Sequence, residues 1–156
     1  MKIVAMIPAR IGSQRLKFKN LALLNKKPLI SYAIQKAIKS KIFSDIYINS
    51  DSEIFKNIAD RYRIKFFLRH KKFGKSNTKS DDVVNNFLQN INCDYLVWVN
   101  PIAPLQEIDD IKKSVKIMIE NKYNTLMTVV NKNIHFLKKN KPKNFKNNSK
   151  FERTQD

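Results

Sequence analysis

Apolar residues recur along this chain with two different spacings, and the alternation between them predicts the architecture. Lys2 to Pro8 is apolar almost throughout, the pattern of a strand covered on both faces. From Pro28 to Lys41, residues Leu29, Ile30, Ala33, Ile34, Ala37 and Ile38 fall on one helical face. Pro28 suits the first turn, where a missing N–H costs nothing. Asp45 to Asn49 alternates as a second strand around Ile46 and Ile48. Ser50 or Ser52 can then cap a helix that buries Ile54, Phe55, Ile58, Ala59 and Tyr62. Lys65 to Leu68 reads as a third strand, followed by a loop from Arg69 to Ser80 and a helix with Val83, Val84, Phe87, Leu88 and Ile91 inward. Tyr95 to Val99 is expected to be a central fourth strand with Trp98 packed. After the loop Asn100 to Gln106 comes a helix with Ile108, Ile111, Val115, Met118 and Ile119 on its apolar side. Thr125 to Val130 reads as a fifth strand.

Strands alternating with helical crossovers define the expected fold class: a Rossmann-like, doubly wound α/β domain with a mostly parallel sheet and helices on both faces. Residues 1–130 form that domain. From Asn131 lysine and asparagine dominate, and 131–156 reads as a basic tail beginning an excursion away from the sheet. The length of 156 residues suits one ordinary domain. A single cysteine, Cys93, excludes an internal disulfide and fits a reducing compartment. No apolar run approaches the roughly 18 residues that span a bilayer, so the expected location is the cytoplasm, with no membrane partner. The net charge of +18, from 31 basic and 13 acidic residues, raises the question of a polyanionic partner. With no nucleic-acid-binding motif, charge alone reports only non-specific electrostatics, so nucleic acid is not the expected partner.

In doubly wound sheets ligands bind beyond the carboxyl ends of the strands. Those ends carry Pro8-Ala9-Arg10, Asn49-Ser50-Asp51, Arg69 and Asn100-Pro101-Ile102-Ala103-Pro104, which together predict a polar, basic cleft. The first loop, Ala9 to Asn20, holds three spaced cations, Arg10, Arg15 and Lys19, beside Gly12 and Ser13. A triphosphate needs fixed positive charge and backbone N–H groups open to close approach, and this loop offers both. It is no Walker loop, because the glycine-lysine-serine ending is absent; a basic surface loop is the alternative. The two glycines of the chain, Gly12 and Gly74, both fall in strand-end loops, where backbone geometry most often demands them. His70 and His135 lack acidic partners and are read as surface residues.

The stretch Ile7-Pro8-Ala9-Arg10-Ile11-Gly12-Ser13-Gln14-Arg15-Leu16, followed by Lys19-Asn20, resembles the opening signature of the CMP-sugar synthetases, the family that includes the acylneuraminate cytidylyltransferases. Further elements follow in the family's order. Asn49-Ser50-Asp51 is similar to its strand-end Ser-Thr-Asp, Arg69 to its strand-end arginine, and Ser76-Asn77-Thr78 to its Ser-Asp-Thr. Asn100-Pro101-Ile102-Ala103-Pro104-Leu105 resembles its Gln-Pro-Thr-Ser-Pro-Leu, and Arg153-Thr154-Gln155-Asp156 is a weaker echo of an Arg-x-Gln element.

The resemblance implies a nucleotidyltransferase that joins CMP from CTP to a sialic-acid-type (nonulosonic) sugar acid with release of pyrophosphate. Catalysis would rest on electrostatic stabilisation by cationic side chains and Mg²⁺. It gives Arg10 and Lys19 the phosphates, with Ala9, Gly12, Ser13 and Arg15 in the same loop. It gives Asn20 and Arg69, with Ser76, Thr78 and Ser80, the cytidine, and places Asn100 and Pro101 toward nucleotide and sugar. The resemblance also places the magnesium ligands and the dimerisation segment beyond residue 156, so no metal ligand is assigned here, a homodimer would lack part of its interface, and little turnover is expected of this chain alone. Asp51 could touch metal or cap a helix; Asp81-Asp82 and Asp109-Asp110 are read as helix starts, where negative charge favours the dipole. Ile102, Ala103, Asn77 and Asn100 depart from the pattern and bear mainly on the sugar. The other readings are an inactive nucleotide-binding module and, less favoured, a basic nucleic-acid-binding protein.

Overall fold

The computed structural model of the protein describes residues 1–129, together with 137–138 and 141–142. Its centre is β1 (Ile3–Ala9), whose residues are nearly all buried. Two short strands, β2 (Leu23–Leu24) and β3 (Lys27–Pro28), form an antiparallel hairpin. Asn25 and Lys26 turn it at φ values of 48° and 62°, the left-handed geometry that matches a two-residue turn to strand twist. Helix α1 (Leu29–Ser40) follows and ends on Lys41 at φ 57°. Then come β4 (Asp45–Ser50), α2 (Ile54–Arg61), β5 (Lys65–Leu68), α3 (Ser80–Leu88), β6 (Tyr95–Trp98) and α4 (Ile108–Glu120).

The main sheet has the order β5-β4-β1-β6 with every pairing parallel. Chain winding therefore runs outward from β1 to β5 and then reverses to place β6 on the other side of β1, which sets a topological switch point there. Both faces are covered. On one, Ala5, Ile7 and Ile48 pack against Ile30, Ala33, Ile34 and Ala37 of α1, Phe55 and Ala59 of α2, and Ile111 of α4. On the other, Val4, Met6 and Tyr47 meet Phe87 of α3, with Tyr47 and Phe67 each edge-on to the Phe87 ring. The doubly wound parallel fold read from the sequence is the fold observed.

Several local expectations are corrected. β6, expected to be central, pairs with β1 alone among the described residues and stands at the edge of the described sheet, and Trp98 is 37% exposed instead of packed. Residues 125–129 form no strand. Their apolar spacing suits a strand, yet Met127 and Val129 are about four-fifths exposed. Helix α2 begins at Glu53 without a side-chain cap; the Ser50 hydroxyl accepts the Ser52 N–H instead. Ile54, expected inward, is half exposed. Asp81-Asp82 and Asp109-Asp110 do occupy first helical turns. The chain divides into two compact units, Met1–Asn124 and Thr125–Asp156; the second contains an antiparallel pair, β7 (Leu137–Lys138) with β8 (Lys141–Pro142).

Candidate functional site

Parallel register brings the strand ends level. Ala9 at the end of β1 stands beside Ser50 of β4, and Ser50 beside Leu68 of β5. The loops leaving these strands are therefore neighbours, and hydrogen bonds tie them together. Asp51, the residue after β4, accepts the backbone N–H of Ile11 at 3.2 Å and pairs with Arg69 Nη2 at 3.7 Å. Arg69 follows β5, is 5% exposed, and donates through Nη1 to both the backbone and side-chain oxygens of Asn49 at 3.2 and 3.3 Å. Asn49 is itself buried, with its amide nitrogen against the sulfur of Met6.

The third loop closes onto the same point. Gly74 is buried because the Asp51 side chain occupies the space a Cβ would need: an added Cβ would lie 2.2 Å from Oδ2. Arg10 Nη1 donates to the carbonyl of Lys75 at 3.3 Å, joining the first loop to the third. Within the first loop, Asn20 Nδ2 donates to the carbonyl of Arg10 at 3.2 Å. Phe18, at φ 52°, turns the chain into a 3-10 turn over Lys19–Leu21 that sets Asn20 inward. Its carbonyl accepts the N–H of Leu21 at 2.7 Å.

Burial pushes the Arg69 guanidinium pKa down; Asp51 pulls it up and the nearby charge of Arg10 lowers it further. Arginine nevertheless stays protonated in proteins, so the pocket floor carries a fixed positive charge with Arg10 within electrostatic reach. Three buried polar atoms of these loops, Ser13 Oγ, Asn20 Oδ1 and Arg69 Nε, have no hydrogen-bond partner among the described residues. Buried polar groups are rarely left so, and their concentration in strand-end loops is what a polar ligand would satisfy. An open cavity of about 800 Å³ borders the same region, lined by Asp51, Ser52, Glu53, Leu68, Arg69, His70 and Lys71.

The remaining residues singled out in the sequence divide into two groups. Ala9 is buried at the end of β1. Thr78 is held by its hydroxyl donating to the Lys72 carbonyl at 3.0 Å. Asn100 Oδ1 accepts the N–H of Ile102 at 3.2 Å, making a local turn around the buried Pro101. Arg15, Lys19, Ser76 and Ser80 make no side-chain hydrogen bond or ion pair among the described residues, and Gly12 faces open space. His70 is exposed and its Nδ1 accepts the Lys72 N–H. His135 lies outside the described residues.

Asp51 does not cap α2, whose N-cap residue is Glu53 with no side-chain cap bond. Among the described residues no group of three or more His, Cys, Asp and Glu side chains is placed to hold a metal ion, and Asp51 is committed to Ile11 and Arg69. Sequence reasoning missed the inward role of Asn49 and the tether formed by Lys36, whose ammonium donates to the Ala103 carbonyl at 3.2 Å and to that of Pro104. Lys36 lies half-buried on the flank of an otherwise regular helix, so its spacing carried no signal. Among the described residues no helix is long and apolar enough to cross a membrane.

A doubly wound parallel sheet, with basic loops knotted together beyond its strand ends and a switch point beside β1, defines the class. Comparison with known proteins then gives the particular assignment: residues 4–155 match the cytidylyltransferase family model, and the chain belongs to the cytidylyltransferase family. It is 33% identical over 135 residues to the N-acylneuraminate cytidylyltransferase of Escherichia coli O18:K1:H7, covering 85% of this chain and 32% of that protein. It is 35% identical over 127 residues to the pseudaminic acid cytidylyltransferase of Campylobacter jejuni, covering 78% and 55% respectively. The chain thus spans from a third to about half the length of these relatives. Among solved structures, CMP:2-keto-3-deoxy-manno-octonic acid synthetase complexed with CTP superposes with a TM-score of 0.70 at 19% identity, covering 78% of this chain and 49% of that one. The bifunctional IspDF of Campylobacter jejuni superposes at 0.72 and 14% identity, covering 91% and 37%. At these identities the structures speak for the fold alone.

Proposed function

We propose that this chain carries the CTP-binding part of a CMP-sugar synthetase, an enzyme that transfers CMP from CTP to a nonulosonic sugar acid and releases pyrophosphate. The observation that carries this reading is the knot of three strand-end loops around Asp51, which brings Arg10 within electrostatic reach of Arg69 and leaves Ser13 Oγ, Asn20 Oδ1 and Arg69 Nε buried without a partner among the described residues. Each orphan atom suits a part of CTP. Asn20 Oδ1 is an acceptor for the exocyclic amine of cytosine, and Arg69 Nε is a donor for a ring acceptor. The Ser13 hydroxyl, with Arg10 and Lys19, faces phosphate chemistry. The donor–acceptor order rejects uracil, which presents a carbonyl where cytosine presents an amine.

Attack of the sugar hydroxyl on the α-phosphorus spreads negative charge over the phosphate oxygens. Fixed cations held in place before reaction stabilise that charge without reorganising. In this reading Arg10 is the central one, because the Lys75 carbonyl and the Asn20 bond to its own carbonyl fix it in place. Magnesium belongs to the proposed reaction as an expectation, and no step is assigned through it. A dimer and a cytoplasmic location also belong to the reading as expectations.

Arg10→Ala tests the assignment. Loss of a charge-assisted hydrogen bond to phosphate costs about 1.5–3 kcal/mol, so CTP affinity should fall by that amount in calorimetric titration while cytidine binding stays constant. Equal losses for both ligands would assign Arg10 a structural role instead.

A further inference from the structure

We propose that Lys36 is a positioning residue that sets the distance between the first loop and the Asn100–Leu105 loop across the nucleotide cleft; the inference rests on the CTP-binding reading above. The loop after β6 holds two prolines, Pro101 and Pro104, which have no N–H to offer. Its internal bonds are few: Ile102 N–H to Asn100 Oδ1, Ala103 N–H to Asn100 O, and Gln106 N–H to Ala103 O. The carbonyls of Ala103 and Pro104 are then gathered from outside by the Lys36 ammonium, whose three donors suit two convergent acceptors.

The same helix face reaches the other loop. Tyr32 lies four residues before Lys36, one turn away on α1, and its hydroxyl donates to the Leu24 carbonyl in the β2–β3 hairpin at 2.7 Å. That hairpin closes the first loop, and Leu29 N–H bonds Ala22 O at its base. Helix α1 itself is fixed to the sheet by Ile30, Ala33, Ile34 and Ala37, all buried. It therefore acts as a ruler, with Tyr32 holding the hairpin that directly follows the Arg10 loop and Lys36 holding the loop that carries Asn100. The sheet order places β6 directly beside β1, so these loops flank the switch point where ligands bind. Burial lowers the pKa of Lys36, consistent with an ammonium withdrawn from water onto protein acceptors.

The test compares Lys36→Met, which keeps the length and removes the donors, with Lys36→Arg, which restores donors. Hydrogen exchange is read at the Ala103 and Gln106 amides, and CTP and cytidine affinities are read by calorimetry on the same samples. In the Met variant exchange at both amides should quicken by about tenfold, as local opening becomes easier. CTP affinity should drop by about fivefold, the scale of coupling through a packed intermediary, and the Arg variant should recover most of both. Should Lys36→Met fail to fold, Lys36→Leu, which also removes the donors, carries the same comparison. Unchanged exchange overturns the tether. Faster exchange with unaltered CTP affinity overturns the positioning role. Faster exchange in a protein whose wild type binds no CTP overturns the nucleotide reading, and the role with it, while leaving a structural tether on record.

Discussion

Asp51 and Gly74 show how much of this site is decided by single side chains. Asp51 holds a backbone N–H of one loop, the guanidinium of a second, and the space above the glycine of a third. It is 11% exposed and cannot swing away without leaving Arg69 buried and unpaired. Breaking a buried pair by deleting one partner costs about 3–5 kcal/mol, and Asp51→Ala should show a loss of that order in urea unfolding. Gly74→Ala asks Asp51 to move by more than an ångström, an overpacking cost of about 1–3 kcal/mol. A melting temperature unchanged by Gly74→Ala would mean that the third loop is not locked onto Asp51. Gly74 was expected where the backbone demands a glycine, but its φ is not positive and its cause is spatial: a Cβ clash with a residue 23 positions earlier in the chain has no local signature. Gly12 was legible as a position open to close approach, and it does face open space. For Asp51 the sequence offers a helix cap because capping is a local role, whereas its partners in the fold come from two other loops.

At the scale of elements, the strands β1, β4, β5 and β6 were legible because strands buried between helix layers must be apolar, and helices α1 to α4 because each keeps one apolar face. The misreadings concern pairing. Residues 125–129 have a strand's composition, yet pairing depends on what lies beside them, which composition does not encode. The hairpin β2–β3 escaped because its strands are two residues long. Among the described residues the two faces of the sheet are unequal: α1, α2 and α4 cover one, while α3 covers the other. On that second face Phe87 fills the centre, fully buried against Tyr47 and Phe67. Phe87→Ala should cost about 3–5 kcal/mol in equilibrium unfolding. A loss below about 1 kcal/mol, the range of surface substitutions, would show that α3 is a loose cover and not part of the core.

For the molecule as a whole, the excess of 18 positive charges draws any polyanion toward the surface, so binding of a triphosphate by itself would say little. What separates a built pocket from a basic surface is discrimination between ligands of equal charge. The measurement that decides is a calorimetric titration with CTP, UTP and ATP at physiological ionic strength, where exposed charges are screened beyond about 8 Å. A pocket formed by Asn20, Arg69 and Arg10 predicts one CTP per chain, bound at least about tenfold more tightly than UTP or ATP, since a mispaired buried polar group costs about 1–3 kcal/mol. Three nucleotides bound alike, with affinity collapsing as salt rises, would contradict it.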